Sequence, residues 1–559
     1  MPSLLALTLW VSLAGIPSRG DGHWGTLEVD AGTVTLNPSA PLRAAVPAGS
    51  STLPVVAADV SGRGIQLGDL VLIVQTQARF DAGSGEVLPI ALDAVGVGHF
   101  EFTRVTGIDA SSLRLFEPLG LGYTFPGAQL VVIPEFASVR IGAGAQVVAP
   151  AWDGGSGGVV GFFSRGLVEL DGVISATGTG FRGGTRLDTR PTPSGCTGLD
   201  EPAPNGGAKG EGISAEQYGR TGRGNVANAA GGGVCQSSGG GGGANRGAGG
   251  SGGVSAQADG SRPVGGLGGA ELVFTPPARV SFGGGGGTPS NGATSAASGG
   301  GLVFIRAGAL VGVGTLEARG ASAADIAADD AASGGGAGGT IVVQVRGTLT
   351  CSLATAEGGR GGSTGVTAAG EPLAPGGGGG GGVVFLAGAT AGCNALAASG
   401  LAGASDAGAD LRATPTDAGV NDGLVIEQRD GGFDPIPRPV ITAPKTGQRL
   451  KVEPVTLAGT GEALTEVLVF LDGELAVTAQ VNSNSFWSVT LPAPSLGPHV
   501  IVARLRDLTG AVSPDSVPVR IEVASEAHPL VVGCGCGSEP GLAAALLTTL
   551  LLLGRRRRP

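Results

Sequence analysis

Two cysteines near the C-terminus have the spacing and surroundings of a processing site. Cys534 and Cys536 alternate with glycines in the stretch Gly-Cys-Gly-Cys-Gly, residues 533–537. Because glycine has no side chain, both thiols are sterically open. We therefore expect these two cysteines to serve in proteolytic processing of the chain or in its anchoring through an attached lipid.

The segment after these cysteines has two further parts. Pro540 marks a position where a helix can begin, and the apolar run 542–553 leads to four arginines at 555–558. A bare membrane-spanning helix needs about 20 apolar residues, and this run supplies little more than half of that. Arginine side chains cannot cross the bilayer and hold the end in the cytoplasm. The short span favours a processing signal, with an ordinary C-terminal tail anchor as the alternative.

The order of Gly-Cys motif, short hydrophobic helix and terminal arginine cluster resembles the myxobacterial C-terminal sorting signal, MYXO-CTERM. The resemblance covers residues 525–559. It implies delivery to the cell surface, with a sorting protease and membrane lipid as partners of the tail.

The N-terminus predicts export. Residues 4–15 form an apolar stretch, and Ser18 and Gly20 are small residues at the −3 and −1 positions before Asp21. We predict a signal peptide at 1–20, although its first residues lack Lys and Arg; a buried strand is the alternative. The chain is then exported to the outer cell surface or anchored in a membrane, where disulfides can form.

Four further cysteines are predicted to pair with each other. They form no Cys-x-x-Cys motif, and the chain has only 4 histidines, which argues against a zinc site. We predict no metal or cofactor and expect disulfides among Cys196, Cys235, Cys351 and Cys393.

Composition restricts both partners and core. The formal net charge of −11 argues against nucleic acid as a partner, because phosphate binding needs clustered Lys and Arg. The chain has 109 glycines, and only 4% of its residues are aromatic, so its core must be built from Val, Leu, Ile and Ala. At 559 residues the chain is long enough for several domains.

The elements that position these residues read as strands. Residues 70–74 and 129–133 are apolar runs, and residues 100–102 and 113–115 alternate with period two, which predicts an all-β unit over 21–136. From 137 to 430 a degenerate repeat joins a glycine pair, two short strands and a glycine loop, with copies at Gly157, Gly300, Gly338 and Gly381. The two short strands of one copy cannot bury both of their faces, whereas stacked copies can. We therefore predict a right-handed parallel β-helix or a similar β-solenoid.

The solenoid predicts the cysteine pairs. Cys351 and Cys393 follow their glycine pairs at nearly the same distance, which places them on adjacent coils. Strands about 4.8 Å apart suit the Cα separation of a disulfide. Cys196 and Cys235 would close the glycine-rich insertion 183–260, which has little to bury and is otherwise expected to be mobile.

The glycine runs and one group of aspartates are the remaining candidates for ligand sites. Runs such as 239–243, 283–287 and 376–382 lack the Lys-Ser/Thr and the helix of a phosphate-binding loop, so we expect turns and close backbone packing. Asp325, Asp329 and Asp330 cluster once, without the period of a calcium-binding solenoid, which leaves calcium as a minor alternative.

Residues 149–154, 158–160 and 178–184 resemble a segment of large myxobacterial surface proteins described as adventurous gliding motility proteins. The similarity is best between 62 and 184. It implies a surface location and involvement in motility.

The C-terminal part differs from the repeat region in composition and strand spacing. A proline-rich linker, 431–439, precedes closely spaced strands over 440–524, and Asp472-Gly473 predicts a hairpin turn. We predict an immunoglobulin-like sandwich acting as a spacer, with Trp487 in its core. The stretch 484–489 resembles bacterial Ig-like domains of surface adhesins.

The carboxylates of the repeats are the candidates for an enzymatic function. Glycoside cleavage needs two carboxylates about 5–10 Å apart, and Glu169, Glu317 and Glu357 fall at loosely similar repeat positions that could form a file on one face. Solvated acids on strand faces are the ordinary explanation. We predict a non-enzymatic structural or adhesion protein, active in gliding or surface contact with a polysaccharide or protein partner. The alternative is a polysaccharide-binding or polysaccharide-cleaving β-helix.

Overall fold

The computed structural model describes residues 20–525, except 61–63, 83, 86–87, 188–197, 202, 204, 216–219, 236, 255–264, 291, 293, 327–329, 366–372, 406–421, 429–435, 463–464, 483–484 and 507–511. Within the described part the fold is all-β, as predicted, and its helical content is one 3₁₀ turn at Ala57–Asp59.

The first twelve strands precede residue 150. They are β1 (Thr26–Val29), β2 (Gly32–Thr35), β3 (Ser39–Pro41), β4 (Thr52–Leu53), β5 (Leu70–Gln75), β6 (Ile90–Ala91), β7 (Phe100–Ile108), β8 (Leu113–Leu115), β9 (Ala128–Ile133), β10 (Glu135–Phe136), β11 (Ser138–Ile141) and β12 (Ala145–Val148). Six of them form one antiparallel sheet in the order β3-β9-β5-β7-β8-β4. This sheet contains the runs that predicted the N-terminal unit.

The next ten strands build the parallel solenoid. They are β13 (Val159–Leu170), β14 (Val173–Ser175), β15 (Leu272–Val273), β16 (Leu302–Val311), β17 (Thr315–Glu317), β18 (Thr340–Val345), β19 (Thr348–Thr355), β20 (Val383–Ala387), β21 (Thr390–Leu396) and β22 (Leu424–Gln428). All except β15, which pairs with β6, belong to a parallel 14-stranded sheet together with β1, β2, β10, β11 and β12. The parallel β-solenoid predicted from the repeats is therefore confirmed.

The register of the solenoid follows the repeat spacing. Leu302 pairs with Thr340, and Thr340 pairs with Val383, so equivalent residues recur at the spacing read from the glycine pairs. Both faces of these strands are covered: Ile341 and Val343 pack into the solenoid interior, whereas Val342 joins a second cluster that includes residues of the N-terminal sheet. Two-sided burial explains why strand β18 is continuously apolar apart from Thr340 and Gln344.

The solenoid begins earlier in the chain than the sequence predicted. Strand β1 pairs in parallel with β11, and β2 pairs in parallel with β12. Residues 26–35, assigned from the sequence to the separate unit 21–136, thus form the first coil. The antiparallel sheet is inserted between this coil and the next one.

The glycine loops of successive coils pack into a regular bundle. Along residues 239–244, consecutive N–H groups donate to three neighbouring segments in turn, and the order of the segments repeats every three residues. Gly239 and Gly242 donate to segment 250–253, Gly240 and Gly243 to 332–335, and Gly241 and Ala244 to 228–231. A three-residue repeat with no internal hydrogen bonds is the signature of the polyproline II conformation.

Segment 239–244 also accepts hydrogen bonds from three other segments, 266–269, 284–287 and 377–380. Six neighbours therefore surround it, all held by backbone groups. Residues 334–339 repeat the pattern, donating in turn to 284–287, 377–380 and 318–321. We call this assembly of residues 228–235, 237–253, 266–269, 283–288, 318–321, 332–339, 356–362 and 376–382 the polyglycine bundle.

The polyglycine bundle corrects the expectation for the insertion 183–260. The sequence predicted mobility for this insertion unless Cys196 and Cys235 closed it, whereas residues 239–244 are buried and hydrogen-bonded along their whole backbone. The close backbone packing predicted for the run 239–243 is confirmed. Only glycine allows backbones to approach this closely: a Cβ on Gly242 would overlap the carbonyl oxygen of Gly378. What the segment buries is backbone rather than apolar side chains.

The last eight strands form a two-sheet sandwich. They are β23 (Val440–Ala443), β24 (Gln448–Lys451), β25 (Val455–Thr460), β26 (Glu466–Leu471), β27 (Glu474–Gln480), β28 (Phe486–Leu491), β29 (Gly497–Arg506) and β30 (Val519–Ala524). The sheets run β23-β25-β28 and β24-β30-β29-β26-β27. Trp487 is buried between them, and Asp472 and Gly473 both have positive φ in the β26–β27 hairpin, as the predicted turn requires.

Candidate functional site

The carboxylates predicted to form a file lie in different rows of the solenoid. Glu169 pairs in register with Val311, whereas Glu317 pairs with Ser175 and Thr355. Glu357 lies beyond the end of β19. The file expected from repeat positions is therefore wrong, because Glu169 lies in the row of β13 and β16, whereas Glu317 lies in the row of β14, β17 and β19.

Two of these acids, Glu169 and Glu357, each lie beside an arginine. Glu169 lies 3.7 Å from the Arg140 Nε, and Glu357 lies 3.4 Å from the Arg319 Nη2. Asp153 accepts the backbone N–H groups of Gly155 and Ser156 in a tight turn. Contacts of this kind are common for acidic side chains on strand faces and in turns.

Asp325, one of the three aspartates considered as an alternative calcium site, is paired with an arginine. Asp325 accepts from the Arg360 guanidinium at 2.8 Å and from the Ser363 N–H at 2.8 Å. The Arg360 contact lowers the pKa of Asp325 to about 2. Asp325 is thus neutralised by protein groups, while Asp329 lies outside the described residues.

Three of the cysteines, Cys235, Cys351 and Cys393, lie in the part of the chain that the structure describes. Cys351 and Cys393 form a disulfide with a Cα–Cα distance of 4.6 Å, which confirms the predicted pair on adjacent coils. Cys235 is disulfide-bonded, and Cys196, the partner predicted for it, lies outside the described residues. The same holds for Cys534 and Cys536.

A buried ionic cluster lies where the N-terminal sheet meets the solenoid. The Glu135 side chain in β10 is fully buried, and its two oxygens accept from the Arg104 guanidinium at 2.6 and 2.8 Å. The Asp21 carboxylate lies 3.4 Å from the same guanidinium and accepts from His23 Nδ1 at 2.5 Å. We call Asp21, His23, Arg104 and Glu135 the junction cluster.

The electrostatics of the junction cluster reflect burial and pairing. Burial raises the pKa of Glu135, against the opposing effect of Arg104. The hydrogen bond to Asp21 raises the pKa of His23. Burial disfavours ionised Asp21, but the hydrogen bonds from His23 outweigh it, and the pKa of Asp21 is lowered.

Asp21, His23 and Glu135 are close enough to share a metal ion. Both oxygens of Glu135 already accept from Arg104, however, and a guanidinium in that position repels a cation. The donor set fits an ion-pair network better than a metal centre. Sequence reasoning missed the cluster; its one signal is an acid, Glu135, directly after the buried run 129–133.

His499 in the Ig-like sandwich lies between an acid and a serine. Its Nδ1 is 2.6 Å from Asp472 Oδ2, and its Nε2 is 2.8 Å from the carbonyl oxygen of Ser495 and 3.4 Å from the Ser495 hydroxyl. The order Ser–His–Asp matches a hydrolytic triad. Both ring nitrogens face oxygen acceptors, so the ring is held as an imidazolium that donates to both, and Nε2 has no lone pair to accept the serine proton.

This arrangement predicts a pH dependence of the Ig-like sandwich. The hydrogen bond to Asp472 raises the pKa of His499, so its stabilisation is complete below the unfolded-state pKa of about 6.5 and is lost as pH rises through the folded value. We expect the melting temperature of this module to fall by about 2–4 °C across that range, since an ion pair whose acid is half exposed contributes roughly 0.5 kcal/mol.

Calorimetry of the full chain at pH values from 5 to 9 measures this effect. The matched control is Asp472→Asn, which removes the charge but keeps an oxygen acceptor, and its module transition should be flat over the same range. An equal fall in both proteins would contradict the assignment to His499.

Within the part of the chain that the structure describes, we find no helix with the length and apolar character needed to cross a membrane. The apolar run 542–553 lies outside that part.

Comparisons with known proteins give no family. No family model and no curated protein matches the chain. Among solved structures, fibronectin(III)-like modules of Clostridium thermocellum CbhA are 22% identical over 15% of this chain and 94% of theirs, with a TM-score of 0.14.

Two phage tailspikes are similar over more of the chain. Tailspike gp61 of Pseudomonas phage phi297 is 11% identical over 85% of this chain and 83% of its own, with a TM-score of 0.13. Tailspike gp49 of Pseudomonas phage LKA1 is 11% identical over 89% and 87%, with a TM-score of 0.14. Similarity this low carries no argument about function.

Proposed function

We propose that this chain is an exported structural or adhesion protein of the cell surface, without enzymatic activity. The observation that carries the proposal is the polyglycine bundle, in which six neighbouring segments surround residues 239–244 through backbone hydrogen bonds. Such a core is built mainly from backbone groups, and the buried amides of Asn228 and Asn245 add hydrogen bonds to it. It serves rigidity rather than substrate binding.

Two further contacts stiffen the assembly. The disulfide between Cys351 and Cys393 fastens adjacent coils. Arg346 at the end of β18 reaches Glu462 of the Ig-like sandwich at 3.1 Å, with both side chains largely buried. The sandwich is thus fixed against the solenoid at this point, as a spacer that must transmit force would be.

The proposed location at the cell surface is supported by sequence features at the two ends of the chain. The resemblance of residues 525–559 to the MYXO-CTERM signal supports sorting by a protease, with membrane lipid as the anchor. The resemblance to gliding motility proteins supports a role in surface contact during movement. A surface polysaccharide or another protein is the partner class that fits an exposed, rigid rod.

A double variant, Cys534→Ala and Cys536→Ala, tests the proposed destination. In a myxobacterial host we expect the parent to lose its arginine tail and to be cleaved by protease added to intact cells. The variant should keep residues 555–558. Its surface display should fall by about tenfold or more, because a chain without a lipid anchor is held only weakly at a membrane.

Mass spectrometry of the mature C-terminus and surface proteolysis give the two readouts. A variant with Ser538→Ala, beside the motif, is the matched control and should behave as the parent. If parent and double variant keep the same C-terminus and the same surface display, the sorting function is refuted.

A further inference from the structure

The junction cluster is an ionic network in which the carboxylate of Glu135 is fully buried. Glu135 and Asp21 face one guanidinium, Arg104, and Asp69 adds a further negative charge near that guanidinium. His23 approaches both Asp21 and Glu135 and is the fourth charged group. A further cation placed against Glu135 would be screened little by solvent, because that carboxylate is buried.

The backbone nitrogen of Asp21 is in position to supply that cation. It donates to Glu135 Oε1 at 3.1 Å, and the same oxygen accepts from Arg104 at 2.8 Å. Asp21 is also the residue after the cleavage site expected from the sequence. Hydrolysis of the Gly20–Asp21 peptide bond by water would leave a carboxylate on Gly20 and convert this nitrogen to an α-ammonium group.

Gly20 is packed against the same carboxylate. It is buried with φ of +80°, and a Cβ on it would lie 3.0 Å from the Glu135 side chain. Its removal frees space beside Oε1 for the additional ammonium protons. The residue that suits the −1 position of a signal peptide is therefore also the one residue that fits this contact before cleavage.

The segment that follows is fixed to the same strand. The Trp24 N–H donates to the Glu135 carbonyl oxygen at 3.0 Å, and the Ala137 N–H donates to the Gly25 carbonyl at 2.7 Å. These bonds lead directly into β1, the first strand of the solenoid. An ion pair at Asp21 would thus fasten the first coil to β10 and, through the bond between Glu135 and Arg104, to the N-terminal sheet.

From this geometry we infer that Glu135 is a docking site for the α-ammonium group created when the signal peptide is removed before Asp21. The inference rests on the export proposed above. It makes leader removal the last step that completes the junction, because the chain with its leader lacks this charge. The first coil is then tighter in the exported protein than in its precursor.

Two readouts test the inference. The first is the mature N-terminus of the exported protein, determined by mass spectrometry, which should be Asp21. The second compares two full chains produced with defined ends, one starting at Asp21 and one retaining Ser18, Arg19 and Gly20. Limiting acetylating reagent at pH 7 should modify the α-amine of the Asp21 chain about tenfold more slowly, which corresponds to one pKa unit.

The exposed amine of Lys445 in each chain is the internal reference for reagent activity. Replacing Glu135 with Gln in the Asp21 chain should restore fast acetylation; if that variant fails to fold, the comparison of the two chain ends decides alone. Equal rates for the two ends would overturn the inference. A leader removed at another residue would also overturn it while leaving export intact, whereas an uncleaved leader would refute both.

Discussion

A single methyl group at Gly242 is expected to destabilise the solenoid by about 3 kcal/mol or more, the upper range for overpacking a core. In the Gly242→Ala variant the new Cβ would overlap the carbonyl oxygen of Gly378. That carbonyl cannot move aside freely, because it accepts from the Gly250 N–H at 2.9 Å. The obstacle is backbone, so no side-chain rotation relieves it.

Differential scanning calorimetry of the full chain measures this loss. Gly120→Ala is the matched control: its nearest heavy atom, Glu101 Oε2, would lie 3.6 Å from the new Cβ, an ordinary contact. We expect this control to melt within about 1 °C of the parent, as a surface change does. If Gly242→Ala melts like the control, the bundle is looser than described and our account of its rigidity is wrong.

Removing the disulfide is expected to have an effect of similar size. Cys351 and Cys393 are 42 residues apart in sequence. In the chain-entropy model, a disulfide that closes a loop of this length stabilises the folded state by about 4 kcal/mol, because it restricts the unfolded chain. The double variant Cys351→Ala and Cys393→Ala should therefore unfold at a clearly lower denaturant concentration. Coils from β18 to β21 should be the first to open.

Hydrogen exchange by mass spectrometry locates the opening along the chain. The control is the Cys534→Ala, Cys536→Ala variant, which also loses two thiols but lies outside the solenoid; its exchange in residues 340–396 should match the parent. Unchanged stability in the solenoid variant would show that the packing of adjacent coils, rather than the cross-link, fixes their register.

Local patterns in the sequence predicted much of the fold. Apolar runs such as 70–74 and 129–133 are strands, and the glycine pairs at 338 and 381 set the solenoid register. The Asp472-Gly473 turn and the buried Trp487 were predicted for the same reason. Each of these features depends on residues close together in the chain or on an exact repeat.

Features that depend on distant residues were missed. The polyglycine bundle joins residues 239–244 to segments near 332 and 377, and nothing in a glycine run indicates which other runs it will meet. Likewise β1 enters the solenoid through β11, more than 100 residues later. The junction cluster combines Asp21, Arg104 and Glu135 from three elements, so no local motif contains it.

The connectivity of the polyglycine bundle has a consequence for how this protein can change over evolutionary time. In ordinary repeat proteins each unit contacts only its neighbours, so copies can be gained or lost with modest cost. Here the segment 239–244 donates to and accepts from units that lie far along the chain. Deleting one coil would leave backbone groups unpaired in several others. We therefore expect the number of coils to be fixed by descent, while the lengths of the loops at the periphery are free to vary.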